Sequence, residues 1–388
     1  MPANESLRDL PKYLASFSLE ESSSRLEVNR QDRLNWVDSV FAHGTLLTMT
    51  TKQTFNIDGI IPIIPTPFDA VQSVDWSALC SLLDFACAID VCAVCLPAYA
   101  SEFYKLSDAE RRETIAKAVE QSDLRVPVVA QANAGSAVHT AELARFAQDV
   151  GAAAVSVAAP RRFAIEEKDL LRHFDRVLSA IDLPLALQDF NPGGPTISTS
   201  FITELHRQHP HFRWVKLEEP LMAARVASIL DATHGEVGVL EGWGGMYVLE
   251  LVAAGISGVM PSLSVADLLA RVFRLAKEGK QQEAYKVFTG TLPQIVFSLQ
   301  NMELYHHAEK RLLAARGIIS ETLVRDPSRD LDPLSAAHID LLNANILAFL
   351  DSLDMPRCPS SRKLVETVGQ NTEIEANDRA AATRVTES

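Results

Sequence analysis

The chain has 388 residues, of which 47% are hydrophobic, 22% charged and 7% aromatic. That is a globular composition, and it excludes a largely disordered, collagen-like or coiled-coil protein. Acidic residues number 50 against 36 basic ones, a formal net charge of −14. Such a surface repels phosphate backbones, and no local basic patch offsets it, so nucleic acid is not an expected partner.

The length allows one large domain or two medium ones. Five cysteines occur, at 80, 87, 92, 95 and 358. Cys92 and Cys95 form a C-x-x-C pair, but the run from Val91 to Leu96 reads as a buried strand in which cysteine serves as a small apolar side chain. The N-terminus lacks the basic start and apolar stretch of a secretion signal. It also carries Glu5, Asp9, Glu20 and Glu21, acids that organelle presequences avoid. The expectation is a cytoplasmic protein. No uninterrupted apolar run reaches the ~18 residues of a membrane span, so no membrane association is expected.

Residues 1–54 are polar and Ser-rich and are expected to be a poorly ordered extension, with Met49 a plausible start for the folded part. Apolar, β-branched runs then recur at Ile60–Ile64, Cys92–Leu96, Val126–Ala130, Ala153–Val157, Leu183–Leu187, Arg213–Lys216, Val237–Leu240 and Ile256–Met260. Most are followed by apolar residues at helical spacing, as in Glu110–Val119 and Thr140–Val150. Strand followed by helix, eight times over, calls for a parallel sheet. The predicted fold is a (β/α)8 TIM barrel over residues 55–278, close to the ~250 residues such barrels need. An open doubly wound sheet is the alternative, but no Gly-rich fingerprint follows the first strand. Helices at Gln281–Leu299, Leu304–Arg316 and Pro333–Leu353 form a C-terminal appendage over 279–355, and 356–388 reads as a disordered tail.

In a barrel the reactive groups stand at the C-terminal ends of the strands. Those ends carry Thr66, the Pro97–Glu102 segment, Asn133, Arg161 and Arg162, Asp189 to Asn191, Lys216 to Glu219, Glu241 to Trp243, and Met260 to Ser262. Lys216 leaves a short apolar strand with its amine directed at the mouth. A desolvated lysine loses the water that favours its charged form, and a neutral amine attacks a ketone or aldehyde to form a Schiff base. On position alone, the plainer reading, a lysine salt-bridged to Glu218 or Glu241, explains the residue better.

The stretch from Phe55 to Phe68, the stretch from Ser101 to Arg111, and Trp214-Val215-Lys216-Leu217-Glu218 together resemble the dihydrodipicolinate synthase / N-acetylneuraminate lyase family. The resemblance runs from about Phe55 to Gly317. It implies a barrel with C-terminal helices, a homo-oligomer (tetramer or dimer), and a strand-six lysine that forms an imine with pyruvate or another 2-oxo acid. Lys216 matches that lysine. The family's carboxylate-holding turn after strand two falls on Ala98 to Glu102, where the backbone donors and the Ser101 hydroxyl remain but Tyr99 replaces a smaller hydroxyl residue. The family's proton-shuttling tyrosine after strand five is missing, because Asp189-Phe190-Asn191-Pro192 stands there. The strand-four tyrosine of the synthase branch is replaced by Arg161 and Arg162, and its aldehyde-binding arginine has no counterpart in 193–196. Dihydrodipicolinate synthesis itself is therefore not expected.

The expected activity is that of a class I lyase acting on a small 2-oxo acid by retro-aldol cleavage, aldol addition or dehydration. Lys216 is the nucleophile. Tyr99 or Asp189 moves protons, and Ala100 and Ser101 hold the carboxylate, with Thr66, Gly242 and Met260 lining the site. Neither cofactor nor metal is called for, since the lysine is itself the electron sink. The alternatives are a family member that binds an oxo acid without turnover, and imine chemistry on an aromatic aldehyde, which Tyr99, Phe190 and Trp243 would suit. His206, His209 and His211 read as a helix-end cluster away from the mouth, His306 and His307 as surface residues, and Glu102 as a capping or loop-orienting residue. Glu241 to Gly245 reads as a loop closing the pocket.

Overall fold

The computed structural model describes residues 55–160, 166–190 and 196–359. The expectations for residues 1–54, Arg161, Arg162, Asn191 to Pro195 and the tail beyond 359 lie outside the described residues. Eight strands form the sheet: β1 (Gly59–Ile60), β2 (Val94–Leu96), β3 (Val128–Gln131), β4 (Ala154–Ala158), β5 (Leu185–Asp189), β6 (Phe212–Leu217), β7 (Gly238–Glu241) and β8 (Gly258–Val259). All neighbours pair parallel, in the order β1-β8-β7-β6-β5-β4-β3-β2. The ring closes between the first strand and β2, where Ile63 bridges Cys95 and the Ile64 N–H donates to the Cys95 carbonyl at 3.0 Å. The TIM barrel is thereby complete.

Eight helices follow the strands: α1 (Trp76–Cys87), α2 (Asp108–Ser122), α3 (Ala137–Asp149), α4 (Glu167–Leu178), α5 (Thr199–Gln208), α6 (Met222–Ala232), α7 (Val248–Ala254) and α8 (Ala266–Lys277). Local chemistry sets several starts. Ser107 accepts from the Glu110 N–H while the Glu110 carboxylate accepts from the Ser107 N–H, a reciprocal cap on α2. The appendage adds α9 (Gln281–Ser298), α10 (Met302–Ala315) and α11 (Pro333–Ser352), and α11 opens on an Asp332 cap with Pro333 in its first turn.

Strand alternation splits the core into two layers. Inside the barrel lie Ile61, Ile63, Cys95, Val129, Ala154, Ala186, Trp214, Leu240 and Met260. Between barrel and helices lie Val155, Val157, Leu185, Leu187, Val215, Leu217 and Val239. Both faces of each strand are covered, which is why the strands read as continuous apolar runs. Cys95 belongs to the inner layer, and burial pushes its thiol up to about 12. The five cysteines are all free.

Two readings of the sequence need amendment. His306 is buried rather than at the surface, and burial pushes its imidazole pKa down. Among the described residues α11 is long and apolar enough to cross a membrane. Counting uninterrupted runs missed it because His338, Asp340 and Asn343 break the stretch. Its buried residues Ile339, Leu342, Ile346 and Leu350 sit where α11 packs against α9 and α10. Just past α11, the Arg357 carbonyl accepts from Arg316 Nε at 2.8 Å.

Candidate active site

A pocket of about 490 Å³, open to solvent, sits at the C-terminal mouth of the barrel. Lys216, Tyr99, Ala100, Gly242 and Met260 all line it. Lys216 takes the inward parity of Trp214, two residues earlier on β6, and its side chain is almost wholly buried. Its Nζ lies 2.8 Å from Glu218 Oε1. Glu218 repeats the same parity, so the lysine and the carboxylate stand on one face of the chain as it leaves the barrel.

Glu218 does not hang freely. Gln188 Nε2 donates to both of its oxygens, at 3.1 and 3.2 Å. Gln188 Oε1 accepts from Gln131 Nε2 at 2.6 Å, and Gln131 Oε1 accepts from the Cys95 thiol at 3.6 Å. This chain of inward side chains from β2, β3 and β5 fixes which end of each amide faces which partner. It ends on the carboxylate beside the amine.

Gly242 is required by the close approach of β6. A Cβ there would fall 2.4 Å from Glu218 Cγ, 2.8 Å from Lys216 Cε and 2.8 Å from the Leu217 carbonyl oxygen. The preceding Glu241 is fully buried behind the loop, where its carboxylate accepts from the Gly245 N–H at 2.8 Å. Burial pushes that carboxyl up to about 7.

Tyr99 stands opposite on a short 3-10 turn (Tyr99–Ser101), its ring 5.3 Å from Phe190 and 5.0 Å from Phe103. Burial, and then the negative charge of Glu218, push its phenol up. The appendage closes the pocket with Leu299, Met302 and Tyr305. Burial, and then Glu309, hold the Tyr305 phenol well above its usual range.

Three expected residues are not brought to the pocket. Asp189 shares the outward parity of Leu187, so its carboxylate accepts from the Ile197 N–H at 2.6 Å behind the strand. Gln188 and Phe190 take the inward positions instead. The Ser101 hydroxyl donates to the Ile64 carbonyl at 2.6 Å and its N–H donates to the Ala98 carbonyl at 2.9 Å. Both Ser101 donors expected at a carboxylate are thus committed to the chain's own backbone. The Thr66 hydroxyl donates to the Ser101 carbonyl at 2.6 Å, bracing the same turn from below.

Glu102 is the anchor of that turn rather than a helix cap. It is fully buried at φ 59°, and it pairs with Lys310 at 2.6 Å and Lys105 at 3.1 Å. Burial pulls the Lys310 ammonium down to about 8 even with that partner. His206, His209 and His211 lie around the start of β6, paired to Glu236, Asp175 and the Leu178 carbonyl. Among the described residues no group of three or more His, Cys, Asp or Glu side chains could hold a metal ion.

Comparison with known proteins sets these features in context. The L-2-keto-3-deoxyarabonate dehydratase of Azospirillum brasilense is 26% identical over 301 residues, covering 75% of this chain and 95% of that one. A 4-hydroxy-tetrahydrodipicolinate synthase of Methanopyrus kandleri is 25% identical over 62% of this chain and 80% of that one. Among solved structures, the 4-hydroxy-tetrahydrodipicolinate synthase of Methylacidiphilum fumariolicum superposes with a TM-score of 0.72 at 22% identity, over 77% of this chain and 99% of that one. A prophage protein of E. coli K12, solved in complex with pyruvate, gives 0.68 at 22% identity, over 75% of this chain and 99% of that one. Fold, buried mouth amine and relatives together define a (β/α)8-barrel lyase of the class I aldolase kind. The chain belongs to the dihydrodipicolinate synthetase family, which it matches over residues 56–343.

Proposed function

We propose that the protein binds a small 2-oxo acid, pyruvate or a pyruvate-derived adduct, as a Schiff base on Lys216 and cleaves, joins or dehydrates it through the resulting enamine. The observation that carries this reading is the position of Lys216: a buried amine at the C-terminal end of β6, inside the mouth pocket, with a carboxylate at 2.8 Å to take its proton. Attack on a ketone needs the neutral amine, and the imine then withdraws electrons from the bond to C3. In this reading Tyr99, which also lines the pocket, exchanges a proton with the leaving or accepting oxygen.

Dehydration is the favoured branch. The Azospirillum relative is named for a dehydratase and aligns over nearly its full length. Phe190 lines the mouth and brings no proton donor or acceptor to it. That same Phe190 favours the competing reading, a chain that binds an oxo acid and does not turn it over. The wild-type protein is incubated with 2-keto-3-deoxy sugar acids, and separately with pyruvate and a panel of aldehydes, with products read by NMR. Loss of water or carbon–carbon bond change that disappears in Lys216→Ala supports the lyase. Binding by calorimetry with no product from any substrate supports the binding protein. The cytoplasmic setting and a homo-oligomeric assembly belong to the same proposal, and sedimentation of the full chain tests the assembly.

A further inference from the structure

The pocket holds a nucleophile, but among the described residues its strand-five wall brings in no group able to move a proton: Phe190 faces in and Asp189 faces out. Among the described residues that line the pocket, Glu218 supplies the carboxylate. We propose that Glu218 is the proton-transfer residue of this site, acting both on the Lys216 amine and on C3 of the bound oxo acid. The proposal rests on the Schiff-base reading above and assigns the group that makes that chemistry run without a strand-five tyrosine.

The geometry meets what the role requires. The carboxylate touches Lys216 Nζ at 2.8 Å, so any imine carbon formed on that nitrogen, and the carbon next to it, falls beside the same oxygens. Gln188 holds both oxygens, and Gln131 and Cys95 hold Gln188 in turn, which fixes the carboxylate instead of leaving it to swing. Gly242 leaves room for both side chains. The phenols facing the pocket are held protonated: burial, and then the Glu218 charge, raises Tyr99, and burial, and then Glu309, raises Tyr305.

The steps balance. The Lys216 ammonium gives a proton to Glu218, and the free amine forms the N–C2 bond while the carbonyl oxygen takes a proton from the nitrogen. Protonated Glu218 then gives its proton to the carbinolamine hydroxyl, which leaves as water with the C–O electron pair. An iminium and a carboxylate remain. The carboxylate next removes a proton from C3, and the C–H electrons become the C2–C3 double bond of a neutral enamine. With a hydroxyl on C4, a proton from the Tyr99 phenol lets that oxygen leave as water with the C4–O electron pair, while the enamine nitrogen re-forms the iminium and the C2–C3 π electrons become a C3–C4 double bond. With pyruvate, return of a solvent deuteron to C3 exchanges the methyl group.

Exchange at the pyruvate methyl in D2O, followed by proton NMR, is therefore the test, with borohydride trapping run alongside. Glu218→Gln keeps the shape and is expected to slow exchange about 100-fold or more, while the trapped adduct still maps to Lys216. The low-pH limb of the exchange profile is expected to vanish with the carboxylate, an effect that loss of a merely structural contact would not produce. Should Glu218→Gln fail to fold, Gln188→Met decides, because it leaves the carboxylate and removes the amide that aims it; about tenfold slower exchange is expected. Wild-type exchange in either variant, with trapping intact, overturns the role of Glu218 and leaves the imine standing. No adduct on the wild-type lysine overturns both.

Discussion

Gly242→Ala adds one methyl group at the point where β7 leaves the barrel against β6. Its Cβ would sit 2.4 Å from Glu218 Cγ, about 1 Å inside ordinary carbon–carbon contact. It would also sit 2.8 Å from Lys216 Cε and from the Leu217 carbonyl oxygen. The two side chains can move, but the carbonyl cannot follow easily, because it accepts the Gly242 N–H at 2.9 Å in the ladder between the strands. Overpacking of this kind costs about 1–3 kcal/mol of stability. The larger effect falls on the site, since displacing the amine by about 1 Å from its attacking position costs on the order of 100-fold in rate. Urea unfolding reads the first, and the rate of borohydride trapping with pyruvate reads the second. A variant with both wild-type stability and wild-type trapping would refute the placement of Gly242 against Lys216 and Glu218.

Other perturbations follow from the same contacts. Lys310→Met leaves Glu102 buried with only Lys105 and a backbone N–H as partners and should cost about 3 kcal/mol; an unchanged urea midpoint counts against the anchoring of the Tyr99 turn. Glu309 is fully buried, and burial pushes its carboxyl up to about 7. A carboxyl raised on folding binds its proton more tightly in the folded state, so its contribution is complete below the unfolded value near ~4.3 and is lost as pH rises through 7. Wild-type stability relative to Glu309→Gln should therefore fall by up to about 3 kcal/mol between pH 4 and 8. A flat difference across that range would contradict it. Tyr99→Phe should slow turnover sharply while leaving the imine trappable, and unchanged kinetics would remove Tyr99 from the chemistry.

The barrel was legible because eight β-branched runs alternate with helical spacing, and the three appended helices lie within a few residues of their expected bounds. The sequence pattern extends the first strand over Ile60–Ile64, whereas regular pairing stops at Ile60. Pro62 and Pro65 lack the N–H groups a continuous ladder needs, and the chain closes the barrel by single bridges at Ile63 instead. Lys216 could be found from its short apolar strand and its flanking motif.

The errors at the site come from taking a strand end as a point without following which face each residue takes. Counting in twos from the inward Ala186 would have turned Gln188 and Phe190 to the pocket and Asp189 away from it. Counting in twos from Lys216 promotes Glu218, which its position alone marks only as a salt-bridge partner. Ser101 was out of reach of such counting, because its hydroxyl is taken by a backbone carbonyl brought near by the barrel closure. Tyr305 was further still: it enters the pocket from α10, more than forty residues past β8, and no local pattern marks it.

The central claim is a covalent bond on one named lysine. Wild-type protein and Lys216→Ala are each incubated with pyruvate, reduced with borohydride, and examined by intact mass and peptide mapping. An adduct of reduced pyruvate on Lys216, absent from the alanine variant, is the expected result. No adduct with pyruvate or longer 2-oxo acids, or one on a different lysine, would contradict it.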